Sequence, residues 1–408
     1  MAFYAIPSEP GGSVKLVRPV ELICFALIVA NAVYLATSFV DGIWLVARDG
    51  SGVPSDFVNV WAAGRLVLEG QAAAAYDWPT HKAVEDVAIG HPFAGYFGWH
   101  YPPPFLFVAA ALSLLSYAGA YALWSFGTFP VYLAAIRAIV GNRFGYLLAA
   151  AFPPVLANFV VGQNGFLSAG LIGGALILLD RRPIAAGVLI GLLTYKPHLG
   201  LLFPIALAAG TRWRVFVSAT IVAGALAGAS WLAFGNSAWA AFVANIGHTS
   251  QVFLSQGQAD WAKLQTAFGL TRALGGSEPL AWSVQGVLAL LATGATAIVW
   301  RSNASEDTKA ATLATATMLA TPYLYMYDLV VLAVPLAFLL HRGGAHGFLA
   351  HETAGIGVAC LLLLIFPVVK APVGFLAVLV VAALVARRAV TERRNAAQHF
   401  LRTAAQQQ

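Results

Sequence analysis

Twelve apolar runs divide the chain, the first from Val20 to Val46 and the others near 102–116, 118–139, 143–161, 164–180, 184–209, 215–234, 279–300, 308–321, 326–341, 353–369 and 372–389. A helix rises about 1.5 Å per residue, so roughly 20 apolar residues cross a hydrocarbon core about 30 Å thick. The pattern predicts an all-α polytopic membrane protein with about 12 transmembrane helices and both chain ends on the cytoplasmic side. Two polar intervals, about 47–101 and 235–278, read as outer loops, and about 389–408 as a cytoplasmic tail. The whole of 1–408 is then a single integral membrane domain.

The first polar interval carries its own pattern. Phe57, Val60, Trp61, Gly64, Val67 and Leu68 recur at helical spacing, which predicts a short amphipathic helix along the membrane surface. Asp56 stands at its start, at the water boundary. Six acids face three bases between Arg48 and His100, a balance suited to the outside. Sidedness further on is in conflict. Counting every run as a span puts Arg181-Arg182 outside and Gly162-Gln163-Asn164 inside, against the preference of arginine for the cytoplasm. The reverse needs 102–116 to be re-entrant and 184–209 to be a hairpin breaking at Lys196-Pro197.

Composition agrees with the pattern. The chain is 60% hydrophobic and 10% charged, with a mean hydropathy of +0.77, whereas a soluble domain carries about 25% charged residues. The net charge of +6 is no nucleic-acid signal. Arg387, Arg388, Arg393, Arg394 and Arg402 crowd the tail, where they fit the positive-inside bias. Cys24 and Cys360 both lie in apolar runs and read as small buried hydrophobes. The first run is too long for a cleavable signal and reads as a retained anchor.

Ionisable groups near lipid carry the functional information, because one at mid-bilayer costs roughly 2.5–3.5 kcal/mol unless paired. Asp56 is either a helix-start acid with Ser55 as N-cap or a site carboxylate. Asp77, before Trp78-Pro79, offers the same choice. His100 and Tyr101 precede three prolines, at a helix start or a polar site. Gln163 and Asn164 interrupt an apolar stretch, either binding sugar hydroxyls or satisfying backbone at a break. Lys196 and His198 flank a proline inside a 26-residue run, Ile184 to Ala209. Lys196 either snorkels to an interface or meets an anion such as a lipid-linked phosphate. Tyr323, Tyr327 and Asp328 form an aromatic-acidic cluster, with Asp328 capping a helix or pairing with Lys196 or a histidine. No metal-ligand spacing occurs among the nine histidines.

Taken in order, several of these elements resemble glycosyltransferase family 87, the polyprenyl-phosphate-mannose-dependent mannosyltransferase-like membrane enzymes. The matching features are Ser55-Asp56-Phe57, Trp61-Ala62-Ala63-Gly64, Gly70, Tyr76-Asp77, Tyr101-Pro102-Pro103, Gly162-Gln163-Asn164, Ala186-Gly187, Gly191, Lys196-Pro197, Arg212-Trp213-Arg214 and Pro322-Tyr323, over about residues 50–330. The resemblance implies a C-type glycosyltransferase-like fold, with amphipathic helices in the first extracytoplasmic loop and an acid of that loop acting as base. That acid maps onto Asp56.

A hexose, mannose-like, would then pass from a polyprenyl-phosphate donor to a glycolipid or glycan acceptor at the periplasmic face of a bacterial plasma membrane. Lys196, then His198, would contact the donor phosphate. Asp77, His100, Tyr101, Gln163, Asn164, Tyr323, Tyr327 and Asp328 would contact sugar or acceptor. Inversion follows from one displacement with one base. The partners expected are these substrates and membrane lipids, without nucleic acid. No cofactor is expected, and a divalent metal is left open. The chief rival is a polytopic transporter or flippase with a buried Lys–Asp pair. A sugar-lipid ligase and a non-enzymatic scaffold rank below it.

Overall fold

Which helix ends meet in space decides how the apolar runs are threaded. A computed structural model describes residues 14–257, 260–369 and 371–406; the polar lead before Val14 lies outside them. Among the described residues the architecture is all-helical, with no strand. Seven helices are long and apolar enough to cross a membrane: Arg18–Val40, Tyr117–Val140, Trp213–Ser255, Glu278–Trp300, Met326–His346, Glu352–Val369 and Val373–Ala396. Phe144–Ala150 with Pro154–Val161, bent by 58°, makes an eighth if counted as one span. The protein is a multi-pass membrane protein.

The other four predicted runs form shorter helices: Pro103–Leu112, Gly165–Leu178, the broken pair Pro183–Tyr195 and Pro197–Ala209, and Glu306–Ala320. None of these helices reaches the roughly 30 Å of a hydrocarbon core by itself.

The broken pair runs out and back. Arg212, just after it, forms an ion pair with Asp180, just before it, and a second with Glu306 at 2.8 Å. The break at Lys196 meets Asn164 and Asp328 instead. The 103–112 segment also returns to where it began, because Tyr101 bonds Gln163 while Ser113 and Leu115 bond Trp61. Gly162-Gln163-Asn164 therefore shares an end of the molecule with Asp56, and Arg181-Arg182 lies at the opposite end. That is the threading in which 102–116 is re-entrant and 184–209 is a hairpin. Gly187 and Gly191 let the hairpin lie close against Ser218 and Val222 of the next span, the small-residue packing that helices use where lipid supplies no hydrophobic drive.

Two local expectations need correction. The Val58–Leu68 helix does not float on a surface. Val58, Ala62, Ala63 and Leu66 are fully buried while Leu68 is 45% exposed. The re-entrant helix packs on the apolar stripe itself, with Gly64 directly against the Ala109 carbonyl and Ser113. The face assigned to water is buried as well, Asn59 Nδ2 donating to the Gly98 carbonyl at 3.3 Å. The 235–278 interval is largely helical rather than loop. Trp213–Ser255 has 43 residues, twice what a bilayer needs, and it breaks at Gly235, where φ is 75°, a conformation glycine adopts without strain. Beyond that break the chain packs on the first polar interval: Asn245 Nδ2 donates to the Trp99 carbonyl at 3.0 Å, and Trp78 Nε1 donates to Asn245 Oδ1 at 3.2 Å.

Candidate active site

Asp56 is fixed from three sides. Phe57 N donates to the Val161 carbonyl at 3.1 Å, and the Phe57 ring stacks on Tyr121 with centroids 5.1 Å apart. Ser55 Oγ meets Tyr117 OH at 2.9 Å. The Val58–Leu68 helix has no side-chain cap, so neither Ser55 nor Asp56 serves as one. Gln163 Nε2 donates to Asp56 Oδ2 at 3.2 Å. Among the described residues Oδ1 has no hydrogen-bond partner, and it is not sealed from solvent. Burial pushes the Asp56 carboxyl up to about 6, opposed first by the Gln163 hydrogen bond and then by the charge of Lys263.

From Gln163 a chain of hydrogen bonds runs inward. Tyr101 OH donates to Gln163 Oε1 at 3.0 Å, and Asn164 Nδ2 donates to Tyr101 OH at 2.7 Å. Lys196 Nζ donates to Asn164 Oδ1 at 2.7 Å and to Asp328 Oδ1. Asp328 Oδ2 accepts from Tyr325 N at 3.0 Å. The Tyr327 ring lies 5.6 Å from Lys196 Nζ and stacks on Tyr325. Gln163, Asn164, Lys196 and Asp328 are all buried, so six side chains from five stretches of sequence form one continuous polar thread.

The other candidates stand apart from it. Asp77 is exposed and caps the Trp78–Ile89 helix, accepting from Thr80 N at 3.1 Å. His100 Nδ1 and Thr249 Oγ1 are hydrogen-bonded at 3.0 Å, and the ring packs against Phe253. Burial, with His248 nearby, brings its pKa down to about 4. Tyr323 packs with Leu254, Leu264 and Phe268 under the second polar interval. His198 has its Nε2 sealed without a hydrogen-bond partner. Neither Lys196, neutralised by Asp328, nor His198 presents a free cation.

Lys263 was missed as a site residue. It is exposed, on the Trp261–Lys263 turn, and its charge acts on Asp56 more strongly than that of Lys196. Arg272, the other cation of that interval, is held by the Gly276 carbonyl and the Trp261 ring. An isolated lysine in a polar stretch gave no signal that it would lie across from Asp56. Among the described residues no three His, Cys, Asp or Glu side chains converge in a metal-binding group.

A family model for glycosyltransferase family 87 matches residues 99–322, more than half of the chain. The chain belongs to glycosyltransferase family 87. It is accordingly a membrane glycosyltransferase, acting on a sugar donor and an acceptor, which sets it apart from the transporter reading. The family 87 match takes in Tyr101, Gln163, Asn164 and Lys196, and it stops short of Asp56 and Asp328. No curated protein and no solved structure matches the chain.

Proposed function

We propose that this glycosyltransferase moves a mannose-like hexose from a polyprenyl phosphate to an acceptor hydroxyl, with inversion, and that Asp56 is the general base. The observation carrying this reading is the open Oδ1 of a carboxylate whose other oxygen is occupied. Its proton affinity, near pH 6, suits a base that must be ionised at neutral pH and still take up a proton.

In the proposed step the acceptor oxygen attacks the anomeric carbon and its proton passes to Asp56. The bond from that carbon to the phosphate oxygen breaks on the opposite face. The phosphodiester monoanion leaves as a phosphate monoester dianion, so the step develops one negative charge on the leaving oxygen. A nearby fixed cation stabilises that charge. Lys263 is the better choice for this role because Lys196 is already neutralised. A groove of about 470 Å³, lined by Ala267, Leu270, Val284, Leu288 and Phe375, suits an apolar prenyl chain. The Ala267–Ala273 helix that forms one wall packs on the Trp261–Lys263 turn. The step uses no bound cofactor.

Arg181, Arg182 and Arg212 lie at the end away from Asp56. Under the positive-inside bias that end faces the cytoplasm, and the proposed site opens to the periplasmic side of a bacterial plasma membrane.

The test is transfer by purified protein from polyprenyl-phosphate mannose to an alkyl mannoside. Asp56→Asn lowers kcat about 10²–10⁴-fold; near-normal transfer by this variant removes Asp56 as base. Lys263→Ala lowers kcat/KM for the donor about tenfold and leaves the acceptor KM unchanged; an unaltered donor kcat/KM removes its phosphate role.

A further inference from the structure

The thread from Lys196 to Asp56 has only one self-consistent direction. An ammonium has donors and no acceptor, so the Asn164 oxygen must face Lys196 and the Asn164 amide nitrogen must face Tyr101. The Tyr101 oxygen, already accepting, turns its hydrogen to Gln163 Oε1. That leaves the Gln163 amide nitrogen against Asp56 Oδ2. No rotor or amide along the path is free to choose.

We infer that Tyr101, Gln163 and Asn164 are positioning residues, a one-way hydrogen-bond chain oriented by Lys196 that occupies Asp56 Oδ2 and reserves Oδ1 for the acceptor proton. The inference rests on the reading of Asp56 as base. Placing the proton on Oδ2 would set two donors face to face, and relieving that clash would mean reversing every bond back to Lys196, which cannot accept. The proton leaving the acceptor hydroxyl therefore goes to Oδ1, and the bond to Oδ2 is kept throughout the step.

Asp328 completes the device. Its charge opposes that of Lys196 at Asp56, so the chain transmits hydrogen-bond direction while little net charge acts at the base. Among the described residues the remaining charged group acting on Asp56 is Lys263, from the second polar interval. From the other elements Asp56 is faced by phenol side chains: Tyr101, Tyr117, Tyr121, Tyr325 and Tyr327.

A chain that stabilises the ionised carboxylate holds its proton affinity down, and cutting the chain lets it rise. The experiment measures kcat/KM against pH for the full-length protein with polyprenyl-phosphate mannose and an alkyl mannoside. Wild type should show an acidic limb near pH 6. Gln163→Leu should move the limb up by about one unit and lower kcat about tenfold at neutral pH, with donor KM within about twofold. Tyr101→Phe, which removes a single oxygen and is the milder change for folding, should move the limb in the same direction. If both variants keep the wild-type limb while Asp56→Asn is inactive, the chain is overturned and the base reading stands, even if kcat falls. An active Asp56→Asn overturns both.

Discussion

Two sets of polar side chains at the Asp56 end are withdrawn from water, and they are built in opposite ways. In the thread from Asp56 to Asp328 each buried link has a partner at 2.7–3.2 Å or an opposite charge. The other set lies on the Trp78–Ile89 helix. His81 and Glu85 are both 0% exposed, with His81 Nε2 3.6 Å from Glu85 Oε1. Neither ring nitrogen of His81 reaches hydrogen-bonding geometry, although the Ala75 carbonyl lies nearby. Among the described residues Glu85 accepts a hydrogen bond only from Phe97 N, at 3.2 Å, with Lys82 3.9 Å away and turned to Asp86 at 2.9 Å.

The difference shows in proton affinity. Burial drives His81 down to about 3 and Glu85 up to about 8, so each favours its uncharged form. Asp56, partly exposed where those two are sealed, stops at about 6, with Gln163 and Lys263 opposing the burial it has. Directed partners keep a buried group ionisable near neutral pH. Complete burial, opposed only weakly by Lys82 and Phe97 N, leaves Glu85 an uncharged filler.

The largest test breaks the satisfied thread. Lys196→Met strands Asp328 as an uncompensated buried charge and should cost about 3–5 kcal/mol, read as a drop in melting temperature. Adding Asp328→Asn should recover most of the loss; a Lys196→Met protein that melts like wild type would put the thread on the same footing as the His81–Glu85 pair.

The next effect belongs to Glu85. Its folded pKa lies above its unfolded value, so the stability it contributes is full below about pH 4.5 and is lost as pH rises through about 8. Glu85→Gln does not titrate. It should lie within about 1 kcal/mol of wild type at pH 5 and exceed it by about 4 kcal/mol at pH 8. His81 moves the opposite way, losing stability as pH falls from 6.5 toward 3, equally in both proteins. A gap between the two that stays constant with pH would show Glu85 to be ionised in the fold.

The smallest test is a matched pair of tyrosines. Tyr101→Phe leaves two amides without their partner and should cost about 1–2 kcal/mol. The Tyr96 hydroxyl has no well-formed bond, only a loose approach to the Trp99 backbone, so Tyr96→Phe should stay within about 0.5 kcal/mol of wild type. Equal costs would erase the contrast between the two sets.

The apolar runs, the membrane class and the two polar intervals were legible in the sequence, because solvation in lipid constrains each stretch by its own composition. Asp56 and Lys196 stood out for the same reason, since a charge beside an apolar run is costly wherever the chain later goes. How many runs cross was not legible: 184–209 is as apolar as a span, and only the meeting of Asp180 with Arg212 makes it a hairpin. Asp77 and Asp56 look alike in sequence, yet one caps a helix and the other holds Gln163. The thread itself joins Tyr101 to Gln163 across 62 residues, Gln163 to Asp56 across 107 and Lys196 to Asp328 across 132. Hydrogen-bond partners are selected by distance and direction within about 3 Å, and at those separations only the folded turns bring them into range.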